Sequence, residues 1–272
     1  MPFSCLASVI NWVVVDYPPY YILQGEYSGK GRDESVINLI TPLLSQYQVK
    51  RHEMPASRAV KSLAKKDEAF CMVSLYKTEE RERFITFSNA YSTLGLSPAI
   101  AMRKTQAKKL NLDLSKPVSL SELMLLHGLT LGVTLNRAYG RAIDEVIDMV
   151  PSHQVTVRAG RDTLESLTYM VQKKRIDLIL GYPSEHHYLK SLMDKNNELV
   201  QLTIAEASDV VKGYIGCSKN PAGEQALGSI EAVLQQVNKS TPFNEVMLRW
   251  LPANMHPVLT PYLYHSQIVK SD

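Results

Sequence analysis

The sequence predicts an α/β protein, with mainly parallel sheets flanked by helices. Short apolar runs of strand length recur along the 272 residues, stretches with helical apolar spacing separate them, and a hydrophobic content of 45% is enough to bury a full core. Repeating strand-helix-strand units favour parallel pairing, because parallel neighbours need a crossover and the crossover supplies a covering helix.

Taken in order, the first strand is expected at 13–15, where three valines precede Pro18 and Pro19, residues that cannot donate ladder hydrogen bonds. A helix follows, with Val36, Ile37, Leu39, Ile40, Leu43 and Leu44 as its apolar stripe, Ser35 or Asp33 as its cap, and Pro42 as a kink. A strand over 47–53, a helix over about 57–65 and a buried strand over 69–75 complete the first series. The second series places strands at 96–102, 131–133, 155–158 and 178–180, with helices at 121–126, 140–149, 163–173 and 185–195 between them. A strand at 213–218 and helices at 223–237 and 241–250 close the chain. No internal repeat or low-complexity tract competes with this division.

Composition narrows the function classes. A net charge of +3 is nearly balanced, which implies neither a nucleic-acid-binding surface nor a charged tail. No apolar run approaches the roughly 20 residues of a membrane-spanning helix. Cys5, Cys71 and Cys217 have no metal-ligand spacing and are odd in number, so no disulfide framework is expected. The first seven residues, 1–7, read as the tail of a secretory signal without its basic start, as if translation began farther upstream; an ordinary frayed terminus is the alternative.

The most informative stretch runs from Thr78 to Tyr91. It sets Arg81 in a turn between two apolar stretches, a place suited to holding a small anion at a strand end. A guanidinium donates two parallel hydrogen bonds to a carboxylate, which a lysine does not match in directionality. An ion pair on the surface is the other reading of Arg81, and Arg83 is solvated or paired with Glu79, Glu80 or Glu82.

The pattern Thr-x-x-Arg-x-x-x-Ile-x-Phe-Ser-x-x-Tyr over 78–91 resembles the signature of family 3 extracellular solute-binding proteins. So, in the family's order, do 12–20 with their Pro-aromatic turn, Gly29 and Gly31 before a helix, 128–133 with the turn 134–140, and 174–181. The resemblance implies the two-lobed type II periplasmic binding fold with a two-strand hinge, lobe one being 8–96 plus 215–272 and lobe two 97–214. It implies capture of a small anionic organic ligand between lobes, export to the periplasm, and a membrane permease of an ABC transporter or a sensor domain as partner. A monomer without cofactor or metal, and without nucleic acid as a partner, is expected.

By the same resemblance, Arg81 binds the ligand carboxylate. Tyr17 flanks the ligand, Tyr20 packs the same turn, and Ser74 and Tyr76 present groups at the strand end. On lobe two, Thr134, Asn136, Arg137, Ala138 and Tyr139 form a turn whose amides meet the carboxylate at a helix start. Asn136 caps that helix or contacts ligand, and Arg137 supplies a second cation for a dianion or points to solvent. Tyr182 stands where amino-acid binders carry an acid for the α-ammonium group. A phenol does not compensate a buried charge, so a standard α-amino acid is not the expected ligand. Glu185 replaces that acid or caps the next helix.

An enzyme on the same fold, of the dehydratase kind, is the rival reading. It would need an acid or base near Arg81, such as Glu79, Glu185 or His186, and none belongs to a recognisable catalytic constellation. Cys71 in an apolar strand makes a poor nucleophile. Glu185, His186 and His187 lack a third metal ligand at recognisable spacing. Asp177, in Arg-Ile-Asp, is read as structural, and the chain has no spare length for the DNA-binding module of a regulator.

Overall fold

The computed structural model describes residues 8–65, 67–160, 162–208 and 210–263, so the secretory-signal reading of 1–7 lies outside the described residues. In chain order the elements are β1 (Ser8–Val14), α1 (Arg32–Ile40), β2 (Tyr47–Glu53), α2 (Ala56–Ser62), β3 (Ala69–Leu75), α3 (Glu79–Glu82) and β4 (Ile85–Leu96). Then come β5 (Ala99–Arg103), α4 (Lys104–Lys109), β6 (Leu131–Thr134), α5 (Arg141–Met149), β7 (Val155–Arg158), α6 (Thr163–Gln172), β8 (Leu178–Gly181), α7 (Pro183–Met193) and β9 (Leu199–Thr203). Finally β10 (Val210–Ser218), α8 (Pro221–Val237) and α9 (Thr241–Leu248) return the chain.

Two units result. Among the described residues, the first comprises 8–95, 212–249 and 259–263, and the second 96–211 and 250–258. The segment 250–258, assigned from sequence to the first lobe, joins the second unit instead: Trp250 meets Tyr188 edge to face at 5.5 Å, and Gln201 reaches the Met255 sulfur. Each unit holds one mixed five-stranded sheet, ordered β2-β1-β3-β10-β4 and β7-β6-β8-β5-β9. β1 is parallel to β2 and β3, and β6 to β7 and β8. The antiparallel members are β10 against β3, and β5 against β8 and β9.

β1 starts five residues before the expected strand, because Asn11, which breaks the apolar run, is carried into the sheet by His52 Nε2 at 2.7 Å and Glu68. α1 ends at Ile40 and gives way to a 3-10 turn at Pro42. Its cap differs from the expected Ser35 or Asp33: Glu34 closes the start of α1 by accepting from the amides of Gly31 and Ile22, at 3.2 and 2.7 Å. Only glycine fits at 31, where a Cβ would lie 2.3 Å from the Tyr20 carbonyl oxygen.

β4 covers 12 residues where the sequence placed a strand only from 96 onward. Its serines mask its burial. Ser88 donates to the Ala90 carbonyl and accepts from the Ile215 amide, and Ser92 donates to the Gly213 carbonyl, so two buried hydroxyls are satisfied by backbone. β9 and α4 were not expected, and the helix expected at 121–126 is a five-residue π turn.

The expectation about cysteines is corrected. Cys71 and Cys217 form a disulfide, standing opposite each other in the antiparallel β3/β10 register with Cα atoms 4.1 Å apart. Their separation of 146 residues hides the pair in the sequence, since sheet order alone makes them neighbours. Among the described residues, no helix is long and apolar enough to cross a membrane.

Candidate functional site

In the first unit the expected groups gather at the C-terminal end of β3. A register shift between Tyr214 and Gly216 opposite this strand puts one extra residue into β3, and Ser74 takes the left-handed conformation (φ 66°) that such a bulge requires. Bulges re-aim side chains, and this one turns Ser74 inward. The Ser74 hydroxyl receives Arg32 Nη2 at 2.7 Å and Thr93 Oγ1 at 2.9 Å, while its amide donates to Ser92. The Ser74 hydroxyl and amide are thus engaged with Arg32, Thr93 and Ser92.

Arg32 was missed by the sequence reading. Its Nε pairs with Asp33 at 2.8 Å and its guanidinium lies 4.4 Å from the Tyr20 ring centroid. Burial opposes its charge, but Asp33, Tyr20 and Tyr76 together outweigh that and hold its pKa above the usual range. The available signal was an Arg-Asp pair at a helix start, directly after the aromatic turn. In that turn, Tyr17 and Tyr20 lie nearly parallel, with centroids 6.0 Å apart, beside the cis Pro18–Pro19 bond.

Arg81 lies in the short helix α3, started by Thr78, whose hydroxyl accepts the Arg81 amide. Its Nη1 donates to the Tyr76 carbonyl at 3.0 Å, which bends the guanidinium back toward the end of β3. Burial pushes its pKa down, with Glu80 and Tyr76 opposing that shift. Among the described residues no carboxylate lies within ion-pairing distance of it, whereas Arg32 has Asp33. Arg83 is exposed.

The second unit treats its arginine differently. Arg137 is not turned to solvent. Nη1 meets Glu185 Oε2 at 3.1 Å, Nη2 bonds the other carboxylate oxygen, and the guanidinium sits 4.8 Å from the Tyr182 ring centroid and 5.5 Å from that of Tyr139. Glu185 is wholly buried and also accepts the Tyr182 amide at 2.8 Å, so it caps α7 while binding the arginine. Gly181 makes room, since a Cβ there would stand 2.9 Å from Glu185 Oε2. The charge expected to serve a dianion is thus matched within its own unit.

The turn 134–140 is also largely self-satisfied. The Thr134 amide donates to the Tyr139 hydroxyl at 3.1 Å, that of Leu135 to the Arg158 carbonyl, and that of Tyr139 to Asp144 at 3.0 Å. Asn136 takes a left-handed conformation (φ 57°), and it and Ala138 are exposed. The turn and α5 line a cavity of about 340 Å³ that includes Val133, Asn136, Arg137, Tyr139 and Asp148.

Neighbouring titratable groups are likewise engaged. Burial pushes the His186 pKa down, and its Nε2 faces the Ala99 carbonyl at 3.1 Å, so Nε2 carries the proton of a neutral ring. Asp177 accepts from the Thr130 amide and hydroxyl and from Arg103, which is the structural role read for it. Among the described residues no group of three acidic, histidine or cysteine side chains is placed to hold a metal.

No protein-family model and no curated protein matches the chain. Solved structures do. A histidine kinase sensor domain with similarity to periplasmic binding proteins aligns over 90% of this chain and 96% of its own, at 15% identity and a TM-score of 0.65. An ancestral arginine-binding protein bound to arginine covers 90% and 99%, at 17% identity and 0.64. A substrate-binding protein of an ABC uptake transporter from Streptococcus pneumoniae, with bound histidine, covers 90% and 92%, at 15% identity and 0.63. The chain has the two-lobed fold of periplasmic binding proteins. At such identities the likeness concerns architecture.

Proposed function

We propose that this chain is a solute-binding protein that captures a small carboxylate-bearing molecule, anchored by Arg81. The carrying observation is a half-buried guanidinium with no carboxylate partner among the described residues, fixed by the Tyr76 carbonyl at the end of β3. A cation held partly out of water gains most from an anion that brings a second hydrogen-bonding edge. Within the same unit, Tyr17 flanks the ligand body and Tyr76 completes the contacts. The ligand is an organic acid rather than a standard α-amino acid, because Tyr182 is neutral and the nearby acid, Glu185, is taken by Arg137. The protein acts outside the cytoplasm as a monomer, serving a membrane permease or a sensor domain; the likeness to both a transporter-associated binding protein and a sensor domain supports that pair of partners.

Thermal-shift screening and calorimetry with small mono- and dicarboxylates test the reading. Arg81→Ala should lose the ligand-induced rise in Tm. Its affinity should fall by about 10- to 100-fold, the worth of a charged hydrogen-bonded contact. An Arg81→Ala protein that binds as tightly as the wild type would reject the anchor, and chemical conversion of the ligand would point to the enzyme reading.

A further inference from the structure

Glu185, Tyr182 and Tyr139 together enclose one cationic head group, the guanidinium of Arg137. Besides Arg137, the carboxylate has a second anchor, the Tyr182 amide at the start of α7, and Gly181 accommodates it by lacking the Cβ that would collide with it. Two aromatic rings flank the cation it holds, the geometry that favours guanidinium and ammonium groups. The cation arrives from elsewhere, on a turn whose Leu135, Asn136 and Ala138 are exposed. Arg137 and Tyr139 also line the cavity of about 340 Å³.

We propose that Arg137 is a specificity-determining residue, a tethered cation that occupies this receptor and thereby rejects ligands carrying an ammonium or guanidinium group. The inference rests on the reading of the chain as a binder of organic acids. It adds the reason why amines are refused: a ligand ammonium entering here must either displace Arg137 from a buried carboxylate or sit beside a like charge.

The test is chemical rescue. Arg137→Ala should bind methylguanidinium, with a rise in Tm and at least about tenfold tighter affinity than either the wild type or Arg137→Ala/Glu185→Gln, in which the receptor is filled or uncharged. Equal concentrations of sodium chloride should have no such effect. If Arg137→Ala is too unstable to purify, Arg137→Gln, neutral and shorter than the arginine, serves with the same probe. A wild-type measurement needs no variant: glutarate should bind at least about tenfold more tightly than glutamate, its amino counterpart. Equal binding of methylguanidinium to the single and double variants, or equal affinity of the wild type for glutarate and glutamate, overturns the proposal. The methylguanidinium response should persist in Arg81→Ala/Arg137→Ala, which separates it from loss of the Arg81 anchor.

Discussion

Arg81 and Arg137 are two arginines in turns, one in each unit, and the fold gives them opposite electrostatic fates. Arg81 keeps its charge without a carboxylate partner among the described residues and is steadied by a neutral carbonyl. Arg137 is neutralised by a carboxylate that is itself wholly buried. On the proposed reading, a cation serves as a ligand anchor when its own chain leaves it unmatched. The same residue type becomes part of the scaffold, or a stand-in for ligand, when an acid is supplied locally.

The sharpest way to break this contrast is Glu185→Ala. It strands a largely buried guanidinium and removes the acceptor of the Tyr182 amide, so unfolding in urea should show a loss of about 3–5 kcal/mol. Arg81→Ala, by contrast, should change stability by less than about 1 kcal/mol. Equal losses would mean that both arginines are structural. Next in size is the Cys71–Cys217 bridge, which ties β3, the strand leading to Arg81, to β10. Replacing both cysteines with alanine should cost about 2–5 kcal/mol in chemical unfolding, and carboxylate affinity should persist in the protein that remains folded.

A smaller and subtler comparison is available in pH. Burial, only partly offset by the amides of Ile22 and Gly31, raises the pKa of Glu34 in the first unit. In the second unit Glu206 is partly buried, but the amides of Ser121 and Leu120 and the Ser119 hydroxyl outweigh that and lower its pKa. The linked stabilities have opposite signs. Protonation linkage at Glu34 contributes stability that is present below its unfolded pKa and lost as pH rises through the raised folded value. At Glu206 the contribution is present above the unfolded pKa and lost as pH falls through the lowered folded value. Unfolding measured across the acid range should therefore show the wild type losing ground to Glu34→Gln as pH rises, and to Glu206→Gln as pH falls. Parallel curves for the two variants would remove the assigned environments.

Much of the α/β order was legible because apolar periodicity is local: β2, β3, β7 and β8 stand where their side chains announced them, and the order of motifs along the chain foretold two lobes. β4 was cut short in the sequence reading because Ser88 and Ser92 look solvent-facing until the backbone of β10 lies beside them. Arg81 was singled out by its neighbours in sequence. Arg32 and the Arg137–Glu185 pair were not resolved, since the first contacts Ser74 from 42 residues away and the second pair is 48 residues apart.

Sequence alone determined which residues carry charge, which runs must be buried, and that position 182 holds a neutral tyrosine. Tertiary structure decided which charges cancel. It brought Cys71 to Cys217, folded Ser74 into a bulge and set Glu185 under Arg137. The physical reason is range: periodicity, caps and turns act within a few residues, whereas charge compensation depends on a few ångströms of space that sheet order alone creates.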